Sequence, residues 1–159
     1  VTTLMSALAR ELPESQSAVA VEAIPNLDID RTRVVSLTAA DCGVSFTETL
    51  SHGTRLRSEH LIINDLSGAD TLSALTAVLG REPGHLLGVH CWSDKDAIEG
   101  LLLAATSSGV DRSAIAQIIG STIDLVVATK RGAEGTRVTA VLEVQGHEAG
   151  DVSFQSVPF

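Results

Sequence analysis

Aromatic side chains are nearly missing from this sequence: it has no tyrosine, one tryptophan and three phenylalanines in 159 residues. A surface that stacks successive nucleic-acid bases needs more of them. Basic residues are also scarce, with 11 Lys and Arg against 20 Asp and Glu and a net charge of −9. The local basic groupings are Arg31 with Arg33 and Arg55 with Arg57, too little to neutralise a phosphate backbone, so no nucleic-acid partner is expected. No run of eighteen apolar residues is present, which excludes a membrane-spanning helix. No basic segment followed by an apolar stretch opens the chain, so no signal peptide is expected. The two cysteines, Cys42 and Cys91, form no CxxC spacing and have no zinc-type partners nearby. Two reduced, buried thiols in a cytosolic protein are the expectation.

What is present is a 44% hydrophobic composition, enough for one domain with a substantial core. Apolar residues at 4, 5, 8 and 12 have helical spacing and Pro13 stops that helix. No strand precedes it, which suggests the back portion of a larger protein whose first strand and loop lie outside this sequence. Short β-prone runs follow at 18–24 and 33–37, then a Gly-containing loop at 39–44. A helix is expected over 46–56 with Phe46, Leu50 and Gly53 on one face.

The stretch from Ser58 to Thr71 organises the rest. An apolar run, His60 to Ile63, meets Asn64-Asp65, then the small residues Ser67-Gly68-Ala69, then a helix over 69–79 with Leu72, Leu75 and Leu79 in phase. A buried strand ending in a carboxylate is how P-loop nucleotidases present an acid to a magnesium ion or a water. Leu86 to His90 repeats the pattern with a histidine at its end. Helices over 94–105 and through Ile119 come next, then a strand at 123–127, a charged turn at 130–136, an alternating strand at 138–144 and an edge strand at 151–154. The fold class is α/β: strand–helix alternation over a mainly parallel sheet, with antiparallel C-terminal strands.

In this order the pieces resemble the C-terminal half of a type II/type IV secretion ATPase, in the branch that drives Tad (Flp) pilus assembly. Thr2 to Leu8 is similar to the end of that family's Walker A motif and its helix. Ala20-Val21-Glu22 resembles the start of its Asp box, and Thr54 to His60 resembles the helix leading into Walker B. Asn64 to Asp70 sits on Walker B, Val89 to Ala97 on the His box, and Ser121 to Val127 with Thr136 to Thr139 on the tail. The likeness is collinear over nearly the whole chain, while each motif is degraded.

The resemblance implies a RecA-like, three-layer P-loop NTPase domain over 1–159, lacking its first strand and P-loop glycines. It implies ATP and Mg2+ if nucleotide binding is retained, with Glu22, Asp65 and His90 in catalysis, Thr2, Thr3, Arg55 and Arg57 toward the nucleotide, and Thr2 and Asp65 toward the metal. It further implies other subunits of a secretion or pilus ATPase assembly, a hexameric ring, an inner-membrane platform protein as partner, and a cytoplasmic site peripheral to the inner membrane.

Each of these residues also has an ordinary structural reading. Thr2 and Thr3 fit any first helical turn, Glu22 and His90 any strand end, and Arg55 and Arg57 a solvated helix end beside Glu59. Several positions depart from the family. Val1 falls where the P-loop lysine belongs and cannot supply its charge. Ala23 and Asn26 fall where acids belong, so activation of a water is weakened. Asp65 replaces a glutamate one methylene longer, and a group misplaced by about 1 Å can cost about 100-fold in rate. Asn64 replaces a glycine, Ser67 an arginine and Trp92 an asparagine, and Arg81 to His85 replaces a Gly/Ser-rich turn. Together these losses imply a pseudo-ATPase with a structural or regulatory role; an active motor subunit with atypical motifs is the alternative.

Overall fold

Two strands almost free of exposed positions set the frame. Ala18–Glu22 (β1) is buried at every residue, and His60–Leu66 (β3) at every residue but Asp65. Such continuous burial belongs to parallel strands covered on both faces. The computed structural model describes residues 1–30, 32–82, 84–90, 97–133 and 135–159. Over these the chain forms two compact units, Val1–His90 and Cys91–Phe159, each taken by itself below.

In the first unit Val34–Thr38 (β2) pairs with β1 and Leu86–Val89 (β4) with β3. The sheet order is β2-β1-β3-β4 and every pairing is parallel. Side-chain alternation divides the core into two layers. Val19, Val21, Leu61 and Ile63 pack against Leu50 of the helix Phe46–Arg55 (α3, following the single turn Ala39–Cys42, α2) and against Ala74 and Val78 of Ala69–Val78 (α4). Ala18, Ala20 and Ile62 pack on the other face against Met5 and Ala9 of Thr2–Arg10 (α1) and against Leu27. Each fully buried Leu or Ile here contributes about 1.5–3 kcal/mol. Gly53 lets α3 approach β1: a Cβ there would stand 2.8 Å from Val21 Cγ2.

The chain leaves β1 toward β2, crosses back through α3 to β3, and then continues outward to β4. The direction reverses between β1 and β3. In an open parallel sheet such a reversal leaves a crevice at the carboxyl ends of the two strands, where ligands bind.

The second unit comprises Ala97–Thr106 (α5), Arg112–Thr122 (α6) and an antiparallel sheet, order β5-β6-β7, of Leu125–Gly132, Gly135–Glu148 and Asp151–Ser156. Gly120 of α6 rests on Gly146 of β6; a Cβ at Gly120 would come 2.7 Å from the Gly146 carbonyl carbon. Arg112 joins three elements, donating to both Glu99 oxygens of α5 (2.9 and 2.6 Å) and to Asp151 Oδ1 of β7 (2.9 Å). The hydrogen bonds from Arg112 to Glu99 hold the Glu99 carboxyl below its ordinary range.

The α/β class, the parallel sheet and the antiparallel C-terminal strands agree with the sequence reading, while several local expectations change. Residues 39–42 form a helical turn, because Gly43 takes the left-handed conformation that closes it. Cys42 sits on that turn as an exposed free thiol, not a buried one. α4 ends at Val78, and Leu79 is 44% exposed, out of phase with the helix face. Most of the expected charged turn at 130–136 is strand, since backbone pairing reaches Gly132↔Gly135. The expected helix start at Asp94, together with Cys91 and Trp92 and with Arg31, Pro83 and Glu134, lies outside the described residues. No helix among the described residues is long and apolar enough to cross a membrane.

Candidate functional site

Asp65 has φ of 61°, a left-handed backbone in a strand interior. For a residue with a Cβ this conformation costs about 1–2 kcal/mol, and Asp is among the side chains that tolerate it. It breaks the register between β3 and β4, whose pairing jumps from Ile63↔Leu87 to Leu66↔Val89. Odd-numbered Leu61 and Ile63 face α3 and α4, and even-numbered Leu66 joins them. An undistorted strand would have sent Leu66 to the opposite face. The irregularity therefore keeps Leu66 in the core and turns Asp65 out along the carboxyl edge.

There Asp65 Oδ2 accepts from Asn26 Nδ2 at 2.7 Å, and Oδ1 lies 3.3 Å from His90 Nε2. The Asp65 side chain is 20% exposed and His90 59%. The His90 amide donates to the Leu66 carbonyl at 3.1 Å, so the backbone brings that histidine beside Asp65.

Glu22 ends β1 and is 1% exposed. Its Oε1 accepts from the amides of Asn26 and Leu27 at 2.9 and 2.8 Å. Its Oε2 is buried with no hydrogen-bond partner among the described residues. Glu22 thus closes the turn after β1 and does not face solvent.

Asn64 is fully buried and has the parity of Ile62, which faces α1. Its Oδ1 lies over Gly88 of β4, where a Cβ would stand 2.6 Å from it, 3.1 Å from Val1 Cγ1 and 3.3 Å from Met5 Cγ. Among the described residues, neither amide atom of Asn64 has a hydrogen-bond partner, nor has the buried Thr71 hydroxyl in the first turn of α4. The start of α1 therefore lies against β4 at this end of the sheet. Thr2 is half-buried, Thr3 is exposed, and α1 has no side-chain cap.

The structure brings Glu22, Asp65 and His90 to one edge, with the first turn of α1 against the same end of β4. Arg55 and Arg57 stand elsewhere. Both are exposed and precede β3, at the amino edge of the sheet; the seven residues of β3 put about 20 Å of strand between them and the carboxyl edge. A cleft of about 400 Å³ lies between α1 and the segment after β1, lined by Arg10, Leu12, Asp28, Ile29 and Arg33 among others; none of Glu22, Asp65 and His90 borders it.

The sequence marks Asn26 as a strand boundary and a missing acid, and Gly88 as one residue of a buried strand, with no sign of the contacts they make. The Pro25-Asn26 pair signals a turn, but nothing local signals a bond to a residue thirty-nine positions away. A second histidine cluster also escaped notice, at the amino edge. His60 is buried, with Nδ1 2.7 Å from the Gly84 carbonyl and Nε2 2.7 Å from Gln16 Oε1. His85 Nδ1 accepts from the Leu61 amide at 3.0 Å. Burial first, then the charges of Arg81 and His60, hold His85 below the usual imidazole range.

No group of three or more His, Cys, Asp or Glu among the described residues could hold a metal ion. A nucleotide-bound Mg2+ draws mainly on phosphates and water, with a hydroxyl and one or two carboxylates from the protein. Of the residues expected toward it, Asp65 has both oxygens hydrogen-bonded, to Asn26 and His90, and Thr2 is half-buried at the start of α1.

No protein-family model matches the chain. It is similar to the type IV secretion system protein VirB11 of Bartonella quintana, 26% identical over 149 residues, covering 88% of this chain and 42% of that protein. It is also similar to the type IV secretion system protein PtlH of Bordetella pertussis, 28% identical over 148 residues, covering 86% and 44%. In fold it matches the VirB11 ATPase of the Brucella suis type IV secretion system, solved in complex with sulphate, with a TM-score of 0.76 at 22% identity over 89% of this chain and 44% of that one. The chain spans less than half the length of these relatives.

Proposed function

We propose that this chain is the RecA-like part of a secretion-machine ATPase homologue whose ATP hydrolysis is weakened or lost, acting as a structural or regulatory subunit. The similarity to secretion proteins along most of the chain supports the machine. The loss of hydrolysis rests on one observation: Asp65, the acid best placed for chemistry, is held by Asn26 and His90. Asn26 and His90 take up acceptor sites on both oxygens of this carboxylate, so an attacking water would have to compete with them for it. Glu22, buried behind its own turn, does not replace it.

Within this proposal the chain works beside active ATPase subunits, in a hexameric ring at the cytoplasmic face of the inner membrane and against a platform protein there. The Tad (Flp) pilus branch is the specific assignment. Thr2, Thr3, Arg55 and Arg57 fall in sequence where the resembled family has nucleotide-binding residues, without forming one site with Asp65. The rival reading is an active motor that binds ATP and Mg2+ through Thr2, Glu22, Asp65 and His90; the convergence of the last three at one edge favours it.

ATP turnover by the purified full-length protein separates the two. The expected result is turnover at background level, unchanged by Asp65→Ala. Turnover above background that Asp65→Ala abolishes would overturn the pseudo-ATPase reading. Calorimetric titration with MgATP then tells a nucleotide-locked scaffold from a subunit acting by contacts alone.

A further inference from the structure

After β1, the stretch 23–28 is anchored at both ends and held between them by Asn26. At one end the Ala40 amide donates to the Ala23 carbonyl at 3.1 Å. At the other, Leu27 is buried in the α1-facing core, the Asp28 amide donates to Ser6 Oγ at 3.1 Å, and the Asp28 carboxylate pairs with Arg10. Between them lie Ile24, 61% exposed, then Pro25, which has no amide to donate, then the exposed Asn26. Among the described residues, the hydrogen bonds that hold this middle down are both made by Asn26: its amide to Glu22 Oε1 and its side chain to Asp65 Oδ2. If Asn26 leaves, Glu22 Oε1 keeps the Leu27 amide at 2.8 Å. Release therefore costs one neutral donor's bond to each of two carboxylates and leaves the core intact.

We propose that residues 24–26 are a latch over the carboxyl edge of the sheet, with Asn26 as its catch, so that Asp65 is shielded in the resting chain and exposed when Asn26 lets go. The catch spans the crevice where strand order reverses, from the end of β1 to the end of β3. Asn suits this role: its amide donates to a carboxylate, whereas an acid at position 26 would face Asp65 with like charge and repel it. The meaning of the latch as control of a nucleotidase-derived site rests on the function proposed above; its existence does not.

Carboxyl footprinting tests it without nucleotide. The full-length protein is labelled with a water-soluble carbodiimide and glycine ethyl ester, and labelling of Asp65 is read by mass spectrometry against the exposed carboxylate of Glu48. In Asn26→Ala, removing a hydrogen bond to a charged group is expected to raise the Asp65-to-Glu48 ratio about tenfold. Asn26→Asp is expected to raise it as well, and both variants should unfold within a few degrees of the parent because Asn26 is exposed. An unchanged ratio in both variants would overturn the latch. So would loss of the fold in both, which would make the segment a brace. ATP turnover by the parent protein would overturn the pseudo-ATPase reading and leave the footprint standing, so the two failures are distinguishable.

Discussion

At the scale of single residues, the contact between Asn64 and Gly88 concentrates the most strain potential in the least space. Asn64 brings two polar atoms into the core without partners among the described residues, each the kind of group that costs about 1–3 kcal/mol to leave unpaired. It fits because Gly88 has no side chain. Gly88→Ala is expected to destabilise the first unit by about 1–3 kcal/mol, as overpacking does. Adding Asn64→Ala should recover much of that loss, because it removes the atom the new methyl would strike. A double-mutant cycle by urea unfolding measures the coupling; strict additivity of the two changes would contradict the contact.

At the scale of elements, two helical glycines carry comparable approaches against different obstacles. Gly53 of α3 meets a methyl of Val21 and Gly120 of α6 meets the backbone of Gly146. Alanine gains up to about 1 kcal/mol of helix propensity at either site. A side-chain methyl can shift by rotation, whereas backbone in a strand cannot without losing its ladder. Gly120→Ala is therefore expected to destabilise more than Gly53→Ala, with a loss of about 1–3 kcal/mol or more read from urea midpoints. Equal losses would indicate that α6 can lift from β6 at little cost.

The same scale shows what the sequence disclosed. β1 and β3 were legible because buried parallel strands read as unbroken apolar runs, and the strand ends then pointed to Glu22, Asp65 and His90. The irregularity at Asp65 was not legible: a left-handed aspartate leaves the same letters as an extended one, and the signal lies in Leu66 returning to the wrong parity. The length of β5 and β6 was hidden for another reason. Antiparallel pairing is made by backbone, so Lys130 and Arg131 continue a ladder that their charge suggested they would end. Asn26 was hidden because its partner is distant in sequence.

At the scale of the whole molecule, side chains whose folded-state pKa is lowered tie stability to pH. His85 has its folded-state pKa below the ordinary value of 6.5. The unfolded chain therefore takes up a proton at this site before the folded one does. Stability from His85 is complete above pH about 6.5 and is lost as pH falls from there through the folded-state value. Glu59 and Asp30, both lowered by hydrogen bonds from Ser17 and Thr32 respectively, lose their contributions in the same direction at lower pH. The urea midpoint is expected to fall as pH drops from 7 toward 5, and to fall less in His85→Gln. Parallel curves for parent and variant would remove His85 from the account.

The left-handed backbone at Asp65 has a consequence for how this protein responds to selection. That conformation is easiest for glycine, which would relieve the backbone there while erasing the carboxylate. Thermal tolerance and the chemistry of the edge thus pull in opposite directions at one position. A library screened for folding alone would drift toward glycine at 65, and one screened for whatever this edge recognises would hold the acid.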